Sequence, residues 1–130
     1  MNLKEYQELA KMTAKKFDNQ ESELSSWGLG ISGEAGDVAS CIKKVLFHKN
    51  ESVKDGIKEN LGDMMWYAAM ICNVYGWDFQ KVLEENIEKL KARYPQGKFT
   101  YEDAQRGGTM VKWSGENSES KVVGGENDNP

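Results

Sequence analysis

A chain of 130 residues predicts one domain with room for a modest core. Charged residues make up 29% and hydrophobic ones 38%, and no apolar segment is long enough to span a membrane. A formal net charge of −4 argues against non-specific nucleic-acid binding, which needs a basic face; an acidic chain can still bind polyphosphate where a metal supplies positive charge locally.

The opening, Met-Asn-Leu-Lys-Glu-Tyr, lacks the apolar run of a secretory leader and enters an amphipathic pattern at once. Leu3, Tyr6, Leu9, Ala10, Thr13, Ala14 and Phe17 recur at helical spacing, which predicts a first helix ending near Asp18-Asn19-Gln20. Leu24, Trp27 and Leu29 follow. Gly28, Gly30 and Gly33 interrupt them, which predicts a break before Glu34. The next helix is expected over about 32–47, with Glu34, Val38, Cys41, Ile42, Val45 and Leu46 as its stripe. A turn follows at 48–51, with Asn50 or Ser52 as the cap of what comes next.

A long helix is expected over 53–75, built on Ile57, Leu61, Met64, Ala68, Ile71 and Cys72. Residues 64–72 are apolar on every side, which in so short a chain points to a subunit interface as well as a core. Gly76 supplies a stop and Asp78 a cap for a last helix, with Phe79, Val82, Leu83, Asn86, Ile87 and Leu90 on its stripe, ending before Pro95. Residues 99–106 are short and mixed. From Gly107 the composition turns to Gly, Ser, Asn and Glu, which reads as a flexible tail over 107–130 after a helical domain over 1–106. Cys41 and Cys72 sit in apolar helical surroundings, as reduced thiols of a cytoplasmic protein do.

Two acidic clusters carry the chemistry. In Glu34-Ala35-Gly36-Asp37 and Glu59-Asn60-Leu61-Gly62-Asp63 the acids stand three or four residues apart and share a helix side. Like charges at that spacing repel, and a divalent cation gives them a reason to converge: hard oxygen ligands suit Mg²⁺ or Mn²⁺, with phosphates completing the shell. Glu34 and Asp37 alone could be a solvated first turn favoured by the helix dipole. Asn60 and Asp63, however, lie on or beside an apolar stripe and need partners, at a cost of about 1–3 kcal/mol each without them. A metal-free hydrogen-bond network is the other solution for that pair, and the two clusters together favour a metal. The chain thus reads as a metal-dependent phosphate-chemistry enzyme. Lys89 and Arg93 suit phosphate, but spacing alone favours an ordinary basic C-terminal turn that complements the helix dipole. Trp66 and Tyr67 could stack on a base or belong to the core. His48, the only histidine, has no constellation around it.

Gly-Ile-Ser-Gly-Glu-Ala-Gly-Asp at 30–37, Asn-Leu-Gly-Asp-Met-Met-Trp-Tyr at 60–67 and Asn-Ile-Glu-Lys-Leu-Lys-Ala-Arg-Tyr-Pro at 86–95 resemble MazG-like nucleotide pyrophosphohydrolases, members of the all-α NTP pyrophosphatase superfamily. The resemblance covers about 1–105, on the pattern E-x-x-E, spacer, E-x-x-D. It implies an all-α, four- to five-helix bundle assembled as a dimer or dimer of dimers. It also implies Mg²⁺-dependent hydrolysis of a nucleoside triphosphate to the monophosphate and pyrophosphate. Glu34, Asp37 and Asp63 stand at three of the four motif positions, Asp37 as a shorter replacement for the family's Glu; Asn60 stands where the family has Glu, with Glu59 just before it. The resemblance further implies that Asn86, Lys89 and Arg93 approach the triphosphate and that the base sits near Trp66 and Tyr67. A phosphoribosyl-ATP hydrolase on a related bundle, and a helical dimer that binds nucleotide or protein without turnover, are the rival readings.

Overall fold

The computed structural model describes residues 1–106; the expected tail over 107–130 lies outside the described residues. The order is α1 (Leu3–Met12), α2 (Gln20–His48), a 3₁₀ turn at Glu51–Val53, α3 (Lys54–Tyr75), α4 (Phe79–Arg93) and α5 (Tyr101–Gln105). No strand occurs among the described residues, in keeping with the all-α expectation. The chain divides into two compact units, Met1–Asn86 and Ile87 onward, with the division inside α4.

In the first unit each helix end has a local cause. Asn2 caps α1: its side chain accepts from Glu5 N at 2.9 Å while Glu5 Oε2 accepts from Asn2 N at 3.0 Å. α1 stops at Met12, well before the expected end near Asp18-Asn19-Gln20. The Thr13 hydroxyl donates to the Ala10 carbonyl at 2.9 Å and accepts from Trp66 Nε1 at 2.9 Å, so a local side-chain bond displaces the next helical turn. Asn19 then opens α2, accepting from Ser22 N at 2.8 Å.

α2 corrects a second expectation. It runs unbroken through Gly28, Gly30 and Gly33, where a loop was expected, because α3 packs against it along most of its length. Glycines in a helix interior cost about 0.5–1 kcal/mol each relative to alanine, so tertiary packing outweighs local propensity here. Asn50 caps the 3₁₀ turn, its Oδ1 accepting from Ser52 N and Ser52 Oγ. At the far end of α3 Gly76 adopts φ 68, and Trp77 N donates to the Cys72 carbonyl at 2.9 Å, the left-handed stop expected of that glycine. Asp78 caps α4 as expected, its Oδ1 accepting from Gln80 N at 2.9 Å and Lys81 N at 3.3 Å.

The core of this unit is small: Ala10, Trp27, Ala69, Met70, Cys72 and Phe79 are buried, with Phe17, Trp66 and Tyr67 packed against them. Rings meet edge to face, Phe17 on Trp27 at 5.1 Å and Trp27 on Trp66 at 5.2 Å, the arrangement that ring quadrupoles favour. Burial first, and the Asp78 charge second, push the Cys72 thiol up, which keeps it protonated and inert.

Gln7 ties three elements together. Its Nε2 donates to Asn73 Oδ1 and to the Trp77 carbonyl, both at 2.9 Å, and its Oε1 accepts from Phe79 N at 2.9 Å. Gln7→Leu removes all three bonds and orphans a buried amide at the start of α4. The expected cost is about 2–4 kcal/mol, at the scale of one to two buried groups left unsatisfied. It is measured as a lowered urea midpoint at unchanged slope.

In the second unit, Thr100 caps α5 by accepting from Asp103 N at 3.0 Å, and Asp103 is held by Thr100 Oγ1 at 2.7 Å and Arg106 Nη2 at 2.5 Å. The mixed stretch 99–106 thus closes on its own side chains.

Candidate metal centre between two antiparallel helices

α2 and α3 form an antiparallel pair whose register is fixed at two points. At one, the Tyr67 ring covers Gly30: a Cβ there would come within 2.6 Å of Cδ1 and closer still to Cε1 and Cζ. At the other, Cys41 Sγ presses on Gly56, 3.3 Å from where a Cβ would stand. Eleven residues separate these points on each helix, 30 to 41 and 56 to 67, about 16 Å of helix rise.

The acidic residues fill the interval. Glu34 lies four residues beyond Gly30, and Asp63 four before Tyr67, so they share one level. Asp37 lies four before Cys41, and Asn60 four beyond Gly56, so they share the next. Glu59 is i,i+4 with Asp63. Glu34 and Asn60 are half-buried, and Asp37, Glu59 and Asp63 are exposed. Desolvation, then the charges of Asp63, Asp37 and Glu59 in that order, hold the Glu34 carboxyl above its ordinary value. The two sequence clusters therefore lie level on two antiparallel helices, and three of their acids act on Glu34.

The donor chemistry fits a hard divalent cation: carboxylate oxygens and one amide carbonyl, in a mutually repulsive field that a cation relieves. Among the described residues no three His, Cys, Asp or Glu side chains already converge as a closed ligand set. Asp37 and Asp63 are exposed to water, and Mg²⁺ commonly keeps waters in part of its shell.

Trp66 and Tyr67 are chiefly packing residues in this geometry. The Trp66 indole is edge-on to Trp27 and bonded to Thr13; Tyr67 is half-buried over Gly30, one turn beyond the acids. Asn86, Lys89 and Arg93 stand at i, i+3 and i+7 on α4, hence on one face, with Lys89 and Arg93 in the second unit. Two neighbours of these residues were not legible from the sequence. Cys41 contacts Asn60, with Nδ2 4.0 Å from Sγ, at the outer limit of a hydrogen bond to sulfur. Tyr6 of α1 has its hydroxyl raised by burial and, second, by Asp63. Only the cysteine's place one turn beyond Asp37 hinted at the first; nothing in the spacing hinted at the second.

The charge assembly predicts an unusual sign for stability. A carboxyl raised in the folded state disfavours the fold once ionised; that penalty is full above its folded pKa and disappears as pH falls through it toward the ordinary 4.5. In EDTA at pH 8, Glu34→Gln is expected to melt above the parent. The gap closes as the pH is lowered, and adding Mg²⁺ stabilises the parent more than the variant. A thermal-melt series over pH reads all three.

Residues 3–98 match the family described as the MazG nucleotide pyrophosphohydrolase domain. The chain is also 35% identical over 78 residues to the gene 37 protein of Mycobacterium phage L5, an alignment covering 57% of this chain and 68% of that one. No solved structure matches significantly. No helix among the described residues is long and apolar enough to cross a membrane. With the matched segment spanning most of the chain and enclosing both acidic clusters, the protein belongs to the MazG nucleotide pyrophosphohydrolase family.

Proposed function

We propose that the chain hydrolyses a nucleoside triphosphate to the monophosphate and pyrophosphate at the α2/α3 site, in the clearance of unwanted or excess nucleotides. The observation that carries this reading is the helix register that sets Glu34 level with Asp63 and Asp37 level with Asn60 within a segment of a pyrophosphohydrolase family. Glu34, Asp37 and Asp63, with the Asn60 carbonyl, would hold Mg²⁺ or Mn²⁺. When bound, such an ion neutralises phosphate charge and lowers the pKa of a water. Glu59, outside that set but one turn from Asp63 on α3, would orient the attacking water and take its proton. The carboxylates of the site repel a bare triphosphate, which makes activity depend on the cation. On α4, Asn86, Lys89 and Arg93 have side chains suited to phosphate, Lys89 as a point charge and Arg93 as a bidentate fork.

The test is pyrophosphate release across all NTPs and dNTPs with Mg²⁺, Mn²⁺ or EDTA. Release that needs the metal supports the reading; silence across the panel from folded protein overturns it. We also propose assembly as a homodimer or homotetramer, because Leu29, Leu61 and Met65 on α2 and α3 are left exposed in one copy.

Asn60 favours a second reading, a nucleotide-binding protein with little turnover, because the amide removes one negative charge from the set. Asn60→Glu distinguishes them. For a weakened enzyme it is expected to raise Mg²⁺ affinity about tenfold and turnover with it, the lower end of what neighbours of a metal ligand contribute. A variant as silent as its parent favours the binding module.

A further inference from the structure

Asn60 is one residue on which the proposed metal site depends, and its amide has two unlike ends. The oxygen can ligate a cation; the nitrogen can only donate hydrogen bonds. Which end faces the carboxylates decides whether the residue serves a cation or repels it. Local geometry bears on that choice. Cys41 Sγ is wedged against α3 at Gly56, where only a glycine leaves room for it without adjustment. Gly56 and Asn60 are i,i+4 on α3, so the sulfur pressed on one lies directly beneath the other. Asn60 Nδ2 points to that sulfur at 4.0 Å. On α2 Cys41 continues the column Glu34, Asp37, Cys41 at i, i+3, i+7, so the thiol closes the end of the acidic interval opposite Tyr67.

We propose that Cys41 is a positioning residue: its sulfur receives the Asn60 amide nitrogen, so that Oδ1 is the end presented to the cation held by Glu34, Asp37 and Asp63. This rests on the metal site proposed above. A thiol is a weak acceptor, but a half-buried amide with its nitrogen engaged loses the freedom to turn over. The device suits a chain with Asn at this position: a carboxylate has two equivalent oxygens and needs no such orientation.

Mn²⁺ binding to the full chain, followed by electron paramagnetic resonance of the free ion, tests this without reference to turnover. Cys41→Val keeps the volume and removes the acceptor; Cys41→Ser keeps an acceptor. Cys41→Val is expected to weaken Mn²⁺ binding about tenfold, as loss of a ligand's orienting partner does. Cys41→Ser is expected to bind within about twofold of the parent, at an unchanged melting temperature in EDTA. In an Asn60→Ala background, Cys41→Val is expected to have no further effect. Gly56→Ala supplies an independent route, since its Cβ displaces the sulfur without touching either polar group, and it too is expected to weaken binding. Parent-like binding by Cys41→Val, or an equal loss in the Asn60→Ala background, overturns the proposal. If the parent binds Mn²⁺ and Asn60→Ala binds equally well, the positioning role fails while the metal site stands; if the parent binds none, both fail.

Discussion

Asp63→Asn is expected to lower metal-dependent pyrophosphate release by at least 100-fold (about 3 kcal/mol of barrier), with no loss of fold. Asp63 stands level with Glu34, is exposed, and is the like charge with the largest effect on Glu34. The substitution removes one negative charge and nearly no volume, so packing between α2 and α3 is undisturbed. It also removes the main repulsion on Glu34, so the metal-free variant should melt at or above the parent temperature. Loss of activity with gain of stability is what a site assembled for a cation produces, and what a surface ion-pair residue does not. The measurement is a Mg²⁺ titration of initial rates beside thermal melts in EDTA. An Asp63→Asn enzyme of undiminished rate at every Mg²⁺ concentration removes Asp63 from the machinery.

That the acidic motif was legible in the sequence, and its surroundings were not, has a physical explanation. Glu34, Asp37, Glu59 and Asp63 announce themselves because like charges at i,i+3 and i,i+4 are unfavourable in a helix that has no use for them. The caps at Asp78 and Gly76 announce themselves too, because their chemistry is confined to three or four residues. The continuity of α2 is different. Glycine spacing weakens a helix on its own, and only contact with a ring 37 residues along the chain (30 to 67) makes Gly30 an asset. The early end of α1 likewise depends on Trp66 donating to Thr13 from another helix. The α3 periodicity puts both Asn60 and Asp63 on or beside the apolar stripe; Asn60 is half-buried, but Asp63 is exposed to water and needs no buried partner. The neighbour of Asn60, Cys41, lies on the other helix, which no periodicity within α3 can reveal.

Gly30→Ala carries the second large effect, and its sign opposes helix propensity. In an isolated helix the change gains about 1 kcal/mol. Here the added methyl enters the space of the Tyr67 ring, meeting Cδ1, Cε1 and Cζ at less than van der Waals separation. Tyr67 cannot simply swing aside: its ring is 5.1 Å from Trp66 and 6.1 Å from Trp27, and Trp27 is itself buried against Phe17. The helices must part at the fixed point of the register, which costs about 3 kcal/mol net of the propensity gain, at the upper end for overpacking. The levels below it shift with it, so Glu34 and Asp63 separate and Mg²⁺ stabilises the variant less than the parent. Removing the ring in the double variant Gly30→Ala/Tyr67→Ala isolates the cause. If steric conflict is responsible, the double variant is more stable than the sum of the two single changes by about 2 kcal/mol, a coupling within the range for residues in direct contact. Simple additivity in urea unfolding would place the cost of Gly30→Ala elsewhere, and with it the role of this glycine in setting the level at which the two acidic clusters meet.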